Sequence, residues 1–134
     1  VTLVVDASVL IELLTMSPLG QRAAARMRAD ADDLHLPHLA DVETVSVARG
    51  LVAAGVLEPS RAANLLVDLR DFPARRWPAQ PFFERIWELR ANVTAYDATN
   101  VALAEALGAR LLTADRTLAR GVGGVAACPV ELVE

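Results

Sequence analysis

Four acidic side chains stand where carboxylates could do chemistry: Asp6, Glu43, Asp97 and Asp115. Asp6 follows Leu3-Val4-Val5 and Asp115 follows Leu111-Leu112-Thr113, so each comes at the end of a short apolar run. Asp97 opens a helical pattern, where free backbone N–H groups favour negative charge. Glu43 lies one to two turns into another helical pattern, among apolar neighbours that read as buried; a glutamate there needs a partner or an ion. The chain has no lysine. Such a set makes a poor salt-bridge network and a good oxygen-donor site for Mg²⁺, or Mn²⁺ in its place. Like charges raise one another's pKa unless a cation neutralises them. A plainer reading stands beside this one: Asp6, Asp97 and Asp115 are independent helix caps and Glu43 is solvated. Asp41, two residues before Glu43, points elsewhere around the helix, and Glu12 reads as surface.

The elements that must position these residues follow from periodicity. Leu3-Val4-Val5 shows no alternation, as in a strand covered on both faces. A helix follows from Ala7 to Thr15, and Ser17-Pro18 caps a second from Leu19 to Ala31. Leu34-His35-Leu36 is a short strand stopped by Pro37. An amphipathic helix runs from His38 to Ala54, and another from Glu58-Pro59-Ser60 to Leu69, close enough to pack as an antiparallel pair. Three prolines between Asp71 and Pro81 exclude a long helix there. Ala74 to Trp77 fits an edge strand. Helix is expected from Phe82 to Val93 and from Tyr96 to Leu107, strand at Arg110–Thr113, a short helix at Arg116–Arg120 and a last strand at Val130–Val133. Strand and helix thus alternate around a mostly parallel sheet with helices on both faces, an α/β three-layer sandwich in one domain over residues 1–134. In such a sheet strand ends share an edge, so residues about a hundred positions apart can meet there.

Composition excludes several classes. The absent lysine removes Walker-type phosphate loops, Schiff-base chemistry and receiver-domain phosphorelay. One cysteine, Cys128, allows no internal disulfide and argues against a cysteine-based zinc site; it suits a reducing, cytoplasmic setting. No leader-like or membrane-spanning stretch is evident. The formal charge of −4 is wrong for a non-specific nucleic-acid binder, unless carboxylates hold divalent metal that supplies the local positive charge. There is no G-x-S-x-G turn, and His38 reads as surface or cap. A dehalogenase-like phosphatase needs a second aspartate two places after the first, where this chain has Ser8.

Taken together, these residues resemble the PIN domain, specifically the VapC-type toxin ribonucleases. The resemblance rests on Val4-Val5-Asp6-Ala7-Ser8-Val9-Leu10, on Leu36-Pro37-His38-Leu39-Ala40-Asp41-Val42-Glu43, on Tyr96-Asp97-Ala98 running into Val101–Gly108, and on Leu111-Leu112-Thr113-Ala114-Asp115-Arg116-Thr117-Leu118. Each motif alone is weak; four in order over nearly the whole chain are strong together. The resemblance implies a Mg²⁺-dependent endoribonuclease with Asp6, Glu43, Asp97 and Asp115 as metal-holding catalytic residues. Ser8 and Thr113 match hydroxyl residues that orient a carboxylate or a water, with capping as their alternative role. Asn100 departs from the pattern, where relatives often carry an aromatic or apolar residue. It lies on the face of Asp97, either reaching the site or sitting as a plain surface amide.

The implied chemistry is in-line hydrolysis of RNA by metal-activated water, leaving a 5′-phosphate and a 3′-hydroxyl. Arg75, Arg76, Arg116 and Arg120 are candidates for holding the RNA backbone, against the alternative of solvated surface charge. The resemblance also implies a homodimer and an antitoxin whose segment lies in a groove lined by the first helices and the Glu58–Leu69 helix. The competing reading is a catalytically silent PIN-like module that binds RNA or protein; the four intact acids argue against it.

Overall fold

Every strand of the sheet is short, and all of them run parallel. The computed structural model describes residues 1–134. Strands β1 (Thr2–Val5), β2 (Asp33–Pro37), β3 (Arg75–Trp77), β4 (Arg110–Thr113) and β5 (Val130–Leu132) form one sheet in the order β3-β2-β1-β4-β5. β1 is central, pairing Val4 with His35 of β2 on one side and with Leu111 of β4 on the other. The winding reverses at β1, which makes the carboxyl ends of β1 and β4 the switch point where open sheets bind ligands.

The helices are α1 (Ala7–Thr15), α2 (Pro18–Asp30), α3 (His38–Ala53), α4 (Pro59–Asp71), α5 (Phe83–Glu88), α6 (Ala95–Leu107) and α7 (Arg116–Gly121). They cover both faces of the sheet. Leu3 and Val5 pack with Val9 and Leu10 of α1 and Ala23 of α2, whereas Val4 packs with Ala98, Val101 and Ala104 of α6. The uninterrupted apolar run of β1 therefore serves two cores by simple alternation of side-chain direction. A smaller cluster of Ile11, Ala48 and Leu65 joins α1, α3 and α4. Where α2 crosses α1 the backbones nearly touch: a Cβ on Gly20 would lie 2.0 Å from the Glu12 carbonyl oxygen. The Ser17 hydroxyl fastens the same corner, accepting from the Gly20 N–H and donating to the Glu12 carboxylate.

Two expectations need correction. Helix α5 ends at Glu88, not near Val93, and is preceded by a 3₁₀ turn at Gln80–Phe82. The chain turns after Glu88 because Leu89 is drawn fully into the core. Thr94 then caps α6 by accepting from the Asp97 N–H at 3.2 Å. Secondly, α3 is not buried: only Ala40, Thr44 and Ala48 are, while Val42, Val45 and Val47 face outward. α3 sits on one corner of the molecule and has a core on one side only.

Candidate active site

The site is built at the carboxyl ends of β1 and β4. Asp6 ends β1 and caps α1, its Oδ1 accepting from the Val9 N–H at 3.1 Å. Ser8 Oγ donates to the same oxygen at 2.6 Å, and Thr113 Oγ1 donates to Oδ2 across 107 positions of sequence. Each hydroxyl also accepts a backbone N–H of the turn after β4, from Ala114 to Ser8 and from Asp115 to Thr113. Two small side chains thus bolt the end of β1 to the end of β4. Asp115 caps α7, its Oδ1 accepting from Thr117 and Leu118 N–H groups at 2.8 and 3.2 Å. The two readings of these aspartates are therefore not exclusive, since both cap a helix and both line the same cleft.

That cleft, of 190 Å³, is lined by Asp6, Ala7, Ser8, Glu43, Val47, Asp97, Asn100 and Asp115. Wider surface hollows lie elsewhere and hold no comparable set of acids. All four acids thus converge, delivered by β1, α3, α6 and the β4–α7 turn. Val47 is a wall residue not singled out from sequence, although its position one helical turn after Glu43 carried the signal.

No ion pair reaches any of the four carboxylates. Burial pushes Asp6 above its ordinary pKa, against the hydrogen bonds from Ser8, Thr113 and Val9. Burial also raises Glu43, helped by the charges of Asp97 and Asp6. Asp97 is raised by burial and by Asp115. No three Asp, Glu, His or Cys side chains are gathered into a ready-made metal cage. The donor set nevertheless fits a hard divalent cation. It is all oxygen, anionic, half-enclosed and without a basic partner, and a cation would relieve the repulsion.

Asn100 lies in this wall, 2% exposed. Its Nδ2 donates to the Tyr96 carbonyl at 3.3 Å, while its Oδ1 is buried and accepts from nothing.

The arginines are dispersed. Arg76 is committed to the protein: it binds both oxygens of Asp41 and donates to the Leu69, Phe72 and Ala74 carbonyls. Its expected availability for RNA is corrected accordingly, because a guanidinium with its donors satisfied in a wall has none left to offer. Arg75 lies 4.4 Å over the Trp77 ring and is exposed. Arg116 pairs with Glu134, and Arg120 is exposed beside them. His38 is exposed; His35 is buried, its Nδ1 accepting from Trp77 Nε1 at 2.9 Å.

Comparison with known proteins agrees with this architecture. The PIN domain family matches residues 3–123. The chain is 43% identical to a VapC ribonuclease of Mycobacterium bovis over 131 residues, 98% of each protein. Among solved structures it is similar to VapC20 of Mycobacterium tuberculosis, described as a sarcin–ricin-loop-cleaving toxin, with TM-score 0.67 and 18% identity over 95% of this chain and 99% of that one. It is also similar to VapBC2 of Rickettsia felis, bound to a promoter DNA fragment, with TM-score 0.70 and 10% identity over the full length of both. No helix is long and apolar enough to cross a membrane.

Proposed function

We propose, from the premise that the chain belongs to the PIN domain family, that it is a Mg²⁺-dependent endoribonuclease and the toxin of a toxin–antitoxin pair. The observation that carries the reading is the convergence of Asp6, Glu43, Asp97 and Asp115 on one cleft with no basic side chain to neutralise them. The 43% identity to a named VapC ribonuclease along almost the whole chain supports the substrate class.

Asp6, Glu43, Asp97 and Asp115 would hold the metal. When bound there, Mg²⁺ would lower the pKa of water and would stabilise charge on phosphoryl oxygens. Asp6 is the fixed point, because three donors set its orientation before any ligand arrives. Ser8 and Thr113 hold that carboxylate, and with the Val9 N–H they leave one of its lone-pair sites free. Asp97 and Glu43 are half-buried on helices opposite, so their charges face the same small volume. Without a cation this volume repels a phosphodiester. Arg75, Arg116 and Arg120 are the remaining candidates for backbone phosphates.

Partners follow from the surface. Val42 and Val45 of α3 and Leu66 and Val67 of α4 are exposed. A 350 Å³ hollow between these helices is lined by Val45, Leu66 and Leu69 together with Asp41, Arg70 and Arg76. Apolar surface of this kind supports a homodimer and an antitoxin partner.

The test is cleavage of end-labelled RNA by purified protein with Mg²⁺. Asp6→Asn and Asp97→Asn should each lower the rate by more than about 100-fold, since even outer residues of metal sites often cost 10–100-fold. Cleavage should leave 5′-phosphate ends. RNA bound but never cut by the parent would favour the silent binding module.

A further inference from the structure

Asn100 carries the one buried side-chain polar atom in the cleft that has no hydrogen-bond partner. The donation from Nδ2 to the Tyr96 carbonyl assigns the amide: turning it over would set two carbonyl oxygens against each other. Oδ1 is then the end without a partner. In the whole molecule only this atom and Arg110 Nε are buried side-chain polar atoms with none. Buried acceptors are ordinarily paired, so an orphan at a ligand site asks what donor it awaits.

The protein offers no donor here. The Ser8 and Thr113 hydroxyl protons both go to Asp6. The N–H groups of Ala114, Asp115, Thr117 and Leu118 go to Ser8, Thr113 and Asp115. No N–H or hydroxyl of the protein reaches Oδ1, and hydration water of a cation held among the four carboxylates would supply the missing donor. An amide also supplies an oxygen without adding to the like-charge repulsion in the cleft.

We propose that the Asn100 carbonyl belongs to the oxygen set that receives the divalent cation, accepting a hydrogen bond from the ion's hydration water. It is a positioning residue, not a further charge. The inference rests on the metal-site reading above and extends it to a residue that the acidic motifs do not include.

The experiment is a Mn²⁺ titration followed by the electron paramagnetic resonance signal of free Mn²⁺, on the parent, Asn100→Leu and Asn100→Asp, with a thermal melt of each in chelator. Asn100→Leu removes the orphaned oxygen at similar size. It should melt no lower than the parent yet bind Mn²⁺ about 10-fold more weakly, in the range for outer residues of metal sites. Asn100→Asp keeps an oxygen and should bind at least as tightly as the parent. If Asn100→Leu melts poorly, Asn100→Ala serves for the same titration. A Leu or Ala variant with the parent's affinity overturns the role of Asn100 while leaving the metal site standing, as does an Asp variant weaker than the Leu one. A parent that binds no Mn²⁺ overturns both.

Discussion

Asp6 shows two opposed forces acting on one carboxyl. Burial favours its neutral form, and three donors favour its ionised form; burial prevails and the pKa is raised. Glu43 and Asp97 are raised as well. For such groups the folded, metal-free protein holds more protons than the unfolded chain between the ordinary carboxylate range and the raised values. Their contribution to stability therefore falls as pH rises through that window, is constant above it and vanishes below it. Asp97→Asn removes one such contribution. In chelator the variant should melt above the parent at neutral pH, with the gap closing as pH falls through the carboxylate range. With Mg²⁺ at about 100 times its Kd the parent should gain roughly 2.7 kcal/mol by mass action, and the order should reverse. Melts at a series of pH values, with and without Mg²⁺, check both statements. Thr113→Val removes one donor to Asp6 and the acceptor of the Asp115 N–H. It should cost about 1–3 kcal/mol in urea unfolding, the penalty for groups left unpaired in a buried place.

At the scale of elements, the cleft depends on contacts that carry no chemistry themselves. Arg76 of β3 ties the edge of the sheet to Asp41 of α3 and to the carbonyls that end α4. α3 carries Glu43, so this clamp helps to hold Glu43 where it is. Arg76→Ala should destabilise the fold by about 2–3 kcal/mol, the scale of hydrogen bonds to charged groups. It should leave the salt dependence of RNA binding unchanged. Replacing Arg116 and Arg120 together should do the reverse. Stability should move by less than about 0.5 kcal/mol for exposed positions. The salt-titration slope should fall by roughly one for each phosphate that an arginine no longer neutralises. Binding measured across a salt series separates the two kinds of arginine.

The whole molecule has a net charge of −4, and α3 carries both Glu43 of the acidic cleft and the uncovered Val42, Val45 and Val47. The phenylalanines and tryptophans divide between core and surface. Phe72, Trp77 and Phe82 pack against the cores, whereas Phe83 and Trp87 stand exposed. On α3, Val42 is 65% exposed, so its side chain contributes little to the monomer's core. Val42→Glu should therefore leave the melting temperature within a degree or two of the parent, as exposed substitutions do. If α3 forms a contact between protomers, the same change should shift light scattering from dimer to monomer. A parent that is already monomeric at micromolar concentration removes that reading.

The order of elements was legible in the sequence because the signals are local. An apolar run of three residues, a capping serine or threonine, or a proline after a strand acts within one turn of itself. The four acids were legible for the same reason, each lying at a strand or helix boundary or close to one. What only the tertiary structure decided is who meets whom. Thr113 bonds to Asp6 because β4 lies beside β1, a neighbour set by crossover and not by any residue near either one. Arg76 is a clamp because α3 brings an anion to it, and the end of α4 with the segment after it brings three carbonyls. α3 is half-exposed because periodicity marks an apolar face without saying whether its own chain covers it. The unpaired Oδ1 of Asn100 has no local signal at all: such an atom is defined by every donor that fails to reach it, and that is a property of the whole fold.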